Sequence, residues 1–167
     1  VKGNDSIGGI NWYYAYQNSK LIASNDNAVS TMIWGCLWDR TLIWLTETGN
    51  KNYSDLRDSR SWGNHRNSTD AAATNSGSKQ ATGTNEAWKA NNIYDLSGNM
   101  YEWTMEASST EKRILRGGSY NSNSSTNSVS GRYDYNKPID ASSSRGSLRS
   151  MLYIDIQEAE DGPTYTI

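Results

Sequence analysis

Phenylalanine is absent from this 167-residue chain, and cysteine and histidine occur once each. The single cysteine, Cys36, excludes any internal disulfide, so whatever fold forms is held by packing and hydrogen bonds alone. A lone histidine, His65, leaves no histidine cluster for zinc. No apolar run is long enough to predict a membrane-spanning helix. A formal net charge of −2 gives no basic footprint for nucleic acid. There is no initiator Met and no signal-peptide pattern, which reads as a fragment or processed form.

The aromatic content sits instead in 7 Trp and 11 Tyr, rings that carry a polar handle and need a partner for it when buried. The length suits one domain with a real core, and residues 1–156 are expected to form it. Residues 157–167 read as an acidic tail with a Gly-Pro pair and no core to join.

Along the chain, residues 1–11 are polar and glycine-rich, which predicts an extended entry. Trp12, Ala15, Tyr16, Ser19 and Ala23 recur at helical intervals behind Asn11, a good N-cap, and predict a helix over 12–24. Residues 25–32 read as a loop rising into a strand. Leu37, Trp38, Thr41, Leu42, Trp44 and Leu45 form a broad apolar stripe, and Gly49-Asn50 is a stop, so a core helix is expected over 37–48. Cys36, between Trp34 and Leu37-Trp38, is expected to be a small buried residue. Residues 51–91 keep no period and read as a long irregular stretch with His65 exposed on it. Leu148, Leu152, Ile154 and Ile156 mark a closing strand.

The densest pattern lies between these. Asn92-Ile93-Tyr94-Asp95-Leu96-Ser97-Gly98-Asn99-Met100-Tyr101-Glu102-Trp103-Thr104 is followed by Arg113-Ile114-Leu115-Arg116-Gly117-Gly118-Ser119-Tyr120. Gly98-Asn99 is a tight-turn dipeptide, Tyr101 and Trp103 fall on one strand face, and Gly117-Gly118 allows a kink or a close approach. The motif N-x-x-D-L-x-G-N-x-x-E-W-T, then R-x-x-R-G-G-S-Y, resembles the central signature of the formylglycine-generating-enzyme-like (sulfatase-modifying-factor) domain. With weaker matches at Trp34-Gly35 and Leu148-Arg149, the resemblance spans roughly 30–154. It implies an α+β, C-type lectin-type fold: two helices packed on short, twisted, mostly antiparallel sheets with long irregular loops. It also implies that the last strand pairs near the first.

The catalysis of that family requires a pair of cysteines after the R-G-G-S motif, since soft thiolates hold copper. Residues 119–147 contain none, and the iron-using relatives would need more histidines than His65. No G-x-S-x-G elbow or phosphate loop is present either. The chain is therefore expected not to be an enzyme and to require no cofactor. Asp95 and Glu102 remain as a carboxylate pair. In the family, the matching positions help to ligate a structural calcium, with carbonyls around Gly98 and Met100, and hard oxygen ligands suit that ion. The other reading is that both carboxylates accept hydrogen bonds from the turn.

Residues 121–147 are almost pure Ser, Asn, Tyr, Asp, Thr and Gly, a composition that by itself reads as disordered. Arg132, Tyr133, Tyr135 and the strand-like flanks argue for order. The same alphabet builds antibody loops, where Tyr supplies rigid contact area and Ser, Asn and Gly supply adaptable hydrogen bonds. In this the chain is similar to the variable proteins of diversity-generating retroelements, which keep the scaffold, lose the catalytic residues and diversify this stretch. That resemblance implies a non-catalytic receptor-binding or adhesion domain on a bacterial or phage surface, with a protein or surface glycan as ligand. The implied contact residues are Ser119, Tyr120, Asn121, Asn123, Asn127, Gly131, Tyr133, Asp134, Tyr135, Asn136, Asp140, Ser142, Ser143 and Ser144. Arg116, Gly117 and Gly118 would frame the site, and Arg132 would pair with a carboxylate. A solvated loop without a partner is the bland alternative.

Overall fold

In the computed structural model, which describes residues 2–25, 27–69, 77–136 and 146–154, the two ends of the fold meet in one sheet. Strand β1 (Ser24–Asn25) pairs with β2 (Ala28–Met32), and β2 pairs along its whole length with β9 (Ser150–Ile154), all antiparallel. A second sheet has the order β7-β6-β5-β8. It comprises β5 (Tyr101–Ser109), β6 (Lys112–Arg116), β7 (Tyr133–Asn136) and β8 (Gly146–Leu148). Its single departure from antiparallel order is β5 beside β8. Short strands β3 (Lys89–Ala90) and β4 (Ile93–Tyr94) form a separate hairpin.

Helix α1 (Trp12–Ser19) starts where the sequence predicts, with the Asn11 side chain accepting from the Tyr14 amide at 2.9 Å. It ends a turn and more before the expected Ser24, because Leu21 and Ile22 point to solvent and Ser24 is taken into β1. Helix α2 (Gly35–Glu47) buries Trp38, Leu42 and Leu45, spaced to share one face. The stripe is narrower than expected: Leu37 and Trp44 lie largely outside it, and Cys36 is exposed rather than buried. The reason is rotational. With Gly35 and Trp38 turned inward, Cys36 and Leu37 must face away.

A third, short helix, α3 (Tyr53–Arg57), was not expected within the irregular stretch. Its signal was a capping box: Asn52 accepts from the Asp55 amide, and the Asp55 carboxylate accepts from the Asn52 amide.

Two apolar clusters carry the packing. One gathers Ile33, Trp38, Leu42, Leu45, Leu56, Trp62, Ala90, Leu96 and Val129 under α2. The other joins Ala15 and Met32 to Trp103 and Leu115, with Tyr101, Tyr133 and Tyr135 packed against it. The tryptophans place their N–H groups as buried rings must: Trp12 on Thr104 O, Trp38 on Val129 O, Trp62 on Asp55 O and Trp103 on Ile10 O.

Candidate functional site

The motif stretch forms a hub. Gly98 and Asn99 both adopt positive φ, +76° and +57°. The turn they make inserts against residue 64: Asn99 N donates to Asn64 O and Gly98 N to Gly117 O, each at 2.8 Å. The buried Asn99 side chain accepts from Gln80 N and donates to Gln80 O, both at 3.0 Å, and the Asn99 main-chain carbonyl accepts from the Tyr120 amide at 2.9 Å. Loops at 64, 80 and 117–120 are thus fastened to one turn.

His65 lies fully buried beneath Gly118, where the sequence suggested an exposed loop position. Its Nε2 is 2.9 Å from Ser59 Oγ and 3.0 Å from Ser97 Oγ, and these hydroxyls are 2.5 Å apart. A serine–histidine contact invites a nucleophilic reading, but all three residues are sealed from solvent, so no substrate reaches them. Burial lowers the His65 pKa to about 4, with the Asp58 charge pulling weakly the other way. The unfolded chain, with an ordinary value near 6.5, binds that proton more readily. Stability is therefore undiminished above pH 6.5 and falls as the pH drops from there towards 4. Urea unfolding at pH 4.5 should show about 2.5 kcal/mol less stability from this group than at pH 7.5. That increment should vanish in His65→Gln; an unchanged pH profile in the variant would remove His65 as its source.

Between the helices and the second sheet lies a four-charge network. Arg116 is fully buried, with Nη2 2.5 Å from Asp39 Oδ1 and Nη1 3.8 Å from Glu106 Oε2. Arg132 pairs with Asp39 and, at 2.5 Å through Nε, with Glu106. Burial lowers the Arg116 pKa while Asp39 opposes it, and two cations face two carboxylates, so the cluster is neutral. The Glu106 carboxylate also lies against Gly35, the first residue of α2, where a Cβ would sit 2.8 Å from Glu106 Cδ. An anion there offsets the positive end of α2, which has no side-chain cap of its own. The expectation that Arg132 pairs with a carboxylate is met twice over.

Asp95 and Glu102 line one cleft of about 400 Å³ together with Asn99 and Arg149. Arg149 grips Glu102 with both forks, Nη2 to Oε1 at 2.6 Å and Nε to Oε2 at 2.7 Å, and donates to Tyr94 O at 3.1 Å. Burial works against charge on Arg149, but the facing Glu102 outweighs it and the pKa is raised. Asp95 accepts at Oδ2 from Gly83 N, 3.1 Å, while its buried Oδ1 has no partner, and burial raises its pKa. Among the described residues no group of three or more His, Cys, Asp or Glu side chains is placed to hold a metal. Gly98 and Met100 belong to the same turn and are buried.

The polar stretch from 119 onward is ordered by its own side chains. Ser122 Oγ accepts from Ser119 N and donates to Ser119 O, both at 2.8 Å. Asn67 and Ser124 exchange hydrogen bonds of 2.9 and 3.0 Å, and Ser124 Oγ donates to Asp58. The Asn123 carbonyl group caps the following turn by accepting from Ser125 N at 3.0 Å. Val129 reaches the core beneath Trp38. These bonds overrule the composition.

The proposed contact residues divide accordingly. Asn121 and Asp134 are exposed; Tyr120, Asn123 and Asn127 are half-buried on the same stretch. Ser119 is fully buried, behind the surface rather than on it. Tyr133 and Tyr135 are packing residues: they stand edge-on to Tyr101 and Trp103, with ring centroids 5.7 and 5.5 Å apart. Their register on β6, opposite Leu115 and Arg113, turns both rings to the inner face. Gly131 is fixed too, since a Cβ there would run into the Tyr133 ring. Asp140, Ser142, Ser143, Ser144 and the side chain of Asn136 lie outside the described residues. Asp39, Asn64, Asn67, Glu106 and Arg149 position the site through partners distant in sequence, as Asp58 does through Ser124, so no local signal marks them.

No family model matches the chain, and no curated protein matches it. The match is to solved structures. Treponema denticola variable protein 1 superposes with a TM-score of 0.52 at 14% identity, over 79% of this chain and 50% of that one. A second, CarF, gives a TM-score of 0.52 at 20% identity, over 76% of this chain and 48% of that one. The chain therefore spans about half the length of each. At these identities the likeness is one of fold. The formylglycine-generating-enzyme resemblance of the motif is not accompanied by a family match.

Proposed function

We propose that this chain is a non-catalytic binding domain on a C-type lectin-type scaffold, of the kind found in diversity-generating retroelement variable proteins. The ligand, a protein or a surface glycan, would be met by the outward side chains of residues 119–136. The observation that carries this reading is the division just described: a Ser/Asn-rich stretch is pinned from below at Ser122, Ser124 and Val129, while Asn121 and Asp134 face outward with Tyr120, Asn123 and Asn127 beside them. A rigid base under adaptable polar groups lowers the ordering cost of binding. The fold shared with a variable protein supports it. The oxidase reading of the motif is disfavoured because the cysteine pair its copper chemistry needs is missing from residues 119–147. Placement on a bacterial or phage surface follows from the same resemblance.

We further propose that Arg149 fills the role that the resemblance gives to calcium. Both Glu102 oxygens are already committed to its guanidinium, leaving Asp95 Oδ1 as the one carboxylate oxygen there without a partner. Such a donor set falls short of the six or more oxygens calcium takes.

The test of the binding role is sequence variation. Coding segments from independent isolates should differ at Tyr120, Asn121, Asn123, Asn127 and Asp134, beside a near-copy template and a reverse transcriptase. Ser119, Val129, Arg132 and Tyr133 should stay constant. Substitutions spread evenly over both groups, with no template nearby, would defeat the proposal.

A further inference from the structure

The stripe of α2 that the core does not use, and the strand beside it, form a second surface. Strand β9 is the edge of its sheet, paired only with β2 among the described strands. Edge strands are normally guarded by charge, proline or a bulge, because their free amides and carbonyls invite another strand. The sequence Ser-Met-Leu-Tyr-Ile of β9 has no charge and no proline, and its register with β2 runs unbroken over all five residues. Leu152, Tyr153 and Ile154 are each at least half exposed. Next to them, Trp34 and Leu37 remain 44% and 37% exposed, and with Arg40, Met151, Leu152 and Tyr153 they line an apolar groove of about 570 Å³.

From this geometry we infer that β9 and the groove form an interface with a second copy of the same chain, joined by antiparallel pairing of the two β9 strands. Three observations choose this occupant. First, an unguarded strand edge is satisfied by a strand, and β9 offers one of the required length and composition. Second, the strand is self-complementary. A two-fold axis at Leu152 sets Met151 of each copy opposite Tyr153 of the other. Both residues lie on the face that carries Thr31 and Val29, so thioether meets ring and the two grooves become continuous. Third, charge does not oppose it. The groove's one charged residue, Arg40, shares the outer stripe of α2 with Glu47, 4.0 Å away, so like copies approach without net repulsion. The surface shares no residue with the stretch at 119–136, so two copies would carry two ligand faces.

Sedimentation equilibrium over a concentration series, combined with alkylation of Cys36 in the groove, tests this. The full chain should reach the mass of two copies as concentration rises, and Cys36 should become at least tenfold slower to alkylate. Leu152→Lys and Arg40→Glu, both at exposed positions, should each give a monomer with fast-reacting Cys36 and an unchanged circular dichroism spectrum. A monomer at every concentration overturns the inference. If Cys36 is protected in that monomer, the groove is covered by the chain's own remaining residues and the second copy is again excluded. A dimer that survives both substitutions uses another surface and overturns it equally.

Discussion

Arg149→Ala is expected to destabilise the protein by about 3–5 kcal/mol, because it leaves the Glu102 carboxylate buried without its counter-ion. Glu102 is 7% exposed and both of its oxygens are bound by the one guanidinium. The same side chain ties Tyr94 O to the gap between β8 and β9, so its loss also loosens the closing strands. Arg149→Lys should recover only part of this, since an ammonium keeps the charge but cannot fork across a carboxylate. Replacing both partners together, Glu102→Leu with Arg149→Met, should recover most of it, because the cost lies in the stranded charge rather than in the missing attraction. Urea midpoints of the three variants check this. A chelator should leave the wild-type melting temperature unchanged. A fall on adding chelator, restored by calcium, would instead show that an ion is bound and would return Asp95 and Glu102 to its ligands.

Gly98→Ala is the second large effect, at about 2–5 kcal/mol. The left-handed backbone accounts for about 1–2 kcal/mol, and overpacking for about 1–3. At φ +76° an added Cβ would sit 2.6 Å from both the nitrogen and the carbonyl carbon of Asn64, which is backbone and cannot swing away. Gly77→Ala separates the two contributions. Its φ is +88° but no described residue lies within 4 Å of the added carbon, so only the backbone cost should appear. Equal losses in the two variants would mean that the approach of residues 64 and 98 is not close in solution.

Local signals in the sequence carried the parts of this fold that depend on neighbours. The Asn11 cap, the Gly98-Asn99 turn and the alternation through Tyr101 and Trp103 all appear where nearest-neighbour chemistry puts them. Longer-range geometry was hidden. Nothing near His65 says that Ser59 and Ser97 will close over it, and isolated histidines in polar stretches usually face water. Periodicity gives the width of the α2 stripe but not how much of it finds a partner, so the stripe predicts a wider core face than the one that forms. Tyr133 and Tyr135 resemble exposed contact residues in composition; only the β6–β7 register shows that they face Tyr101 and Trp103. The cleft at Asp95 and Glu102 was legible as a carboxylate pair, but its cation, Arg149, comes from the far end of the chain.

The pairing of β2 with β9 also sets a clock on synthesis. Met32 waits for Ser150, and at about 5–20 residues per second a ribosome needs on the order of ten seconds to deliver it. Throughout that interval β2 lacks its closing strand, and the Trp103 face, once made, waits as well while residues 119–136 are being added. Sequence changes in that stretch therefore meet a chain that has not yet sealed, and those that favour sticking to other chains would be lost before the fold could close.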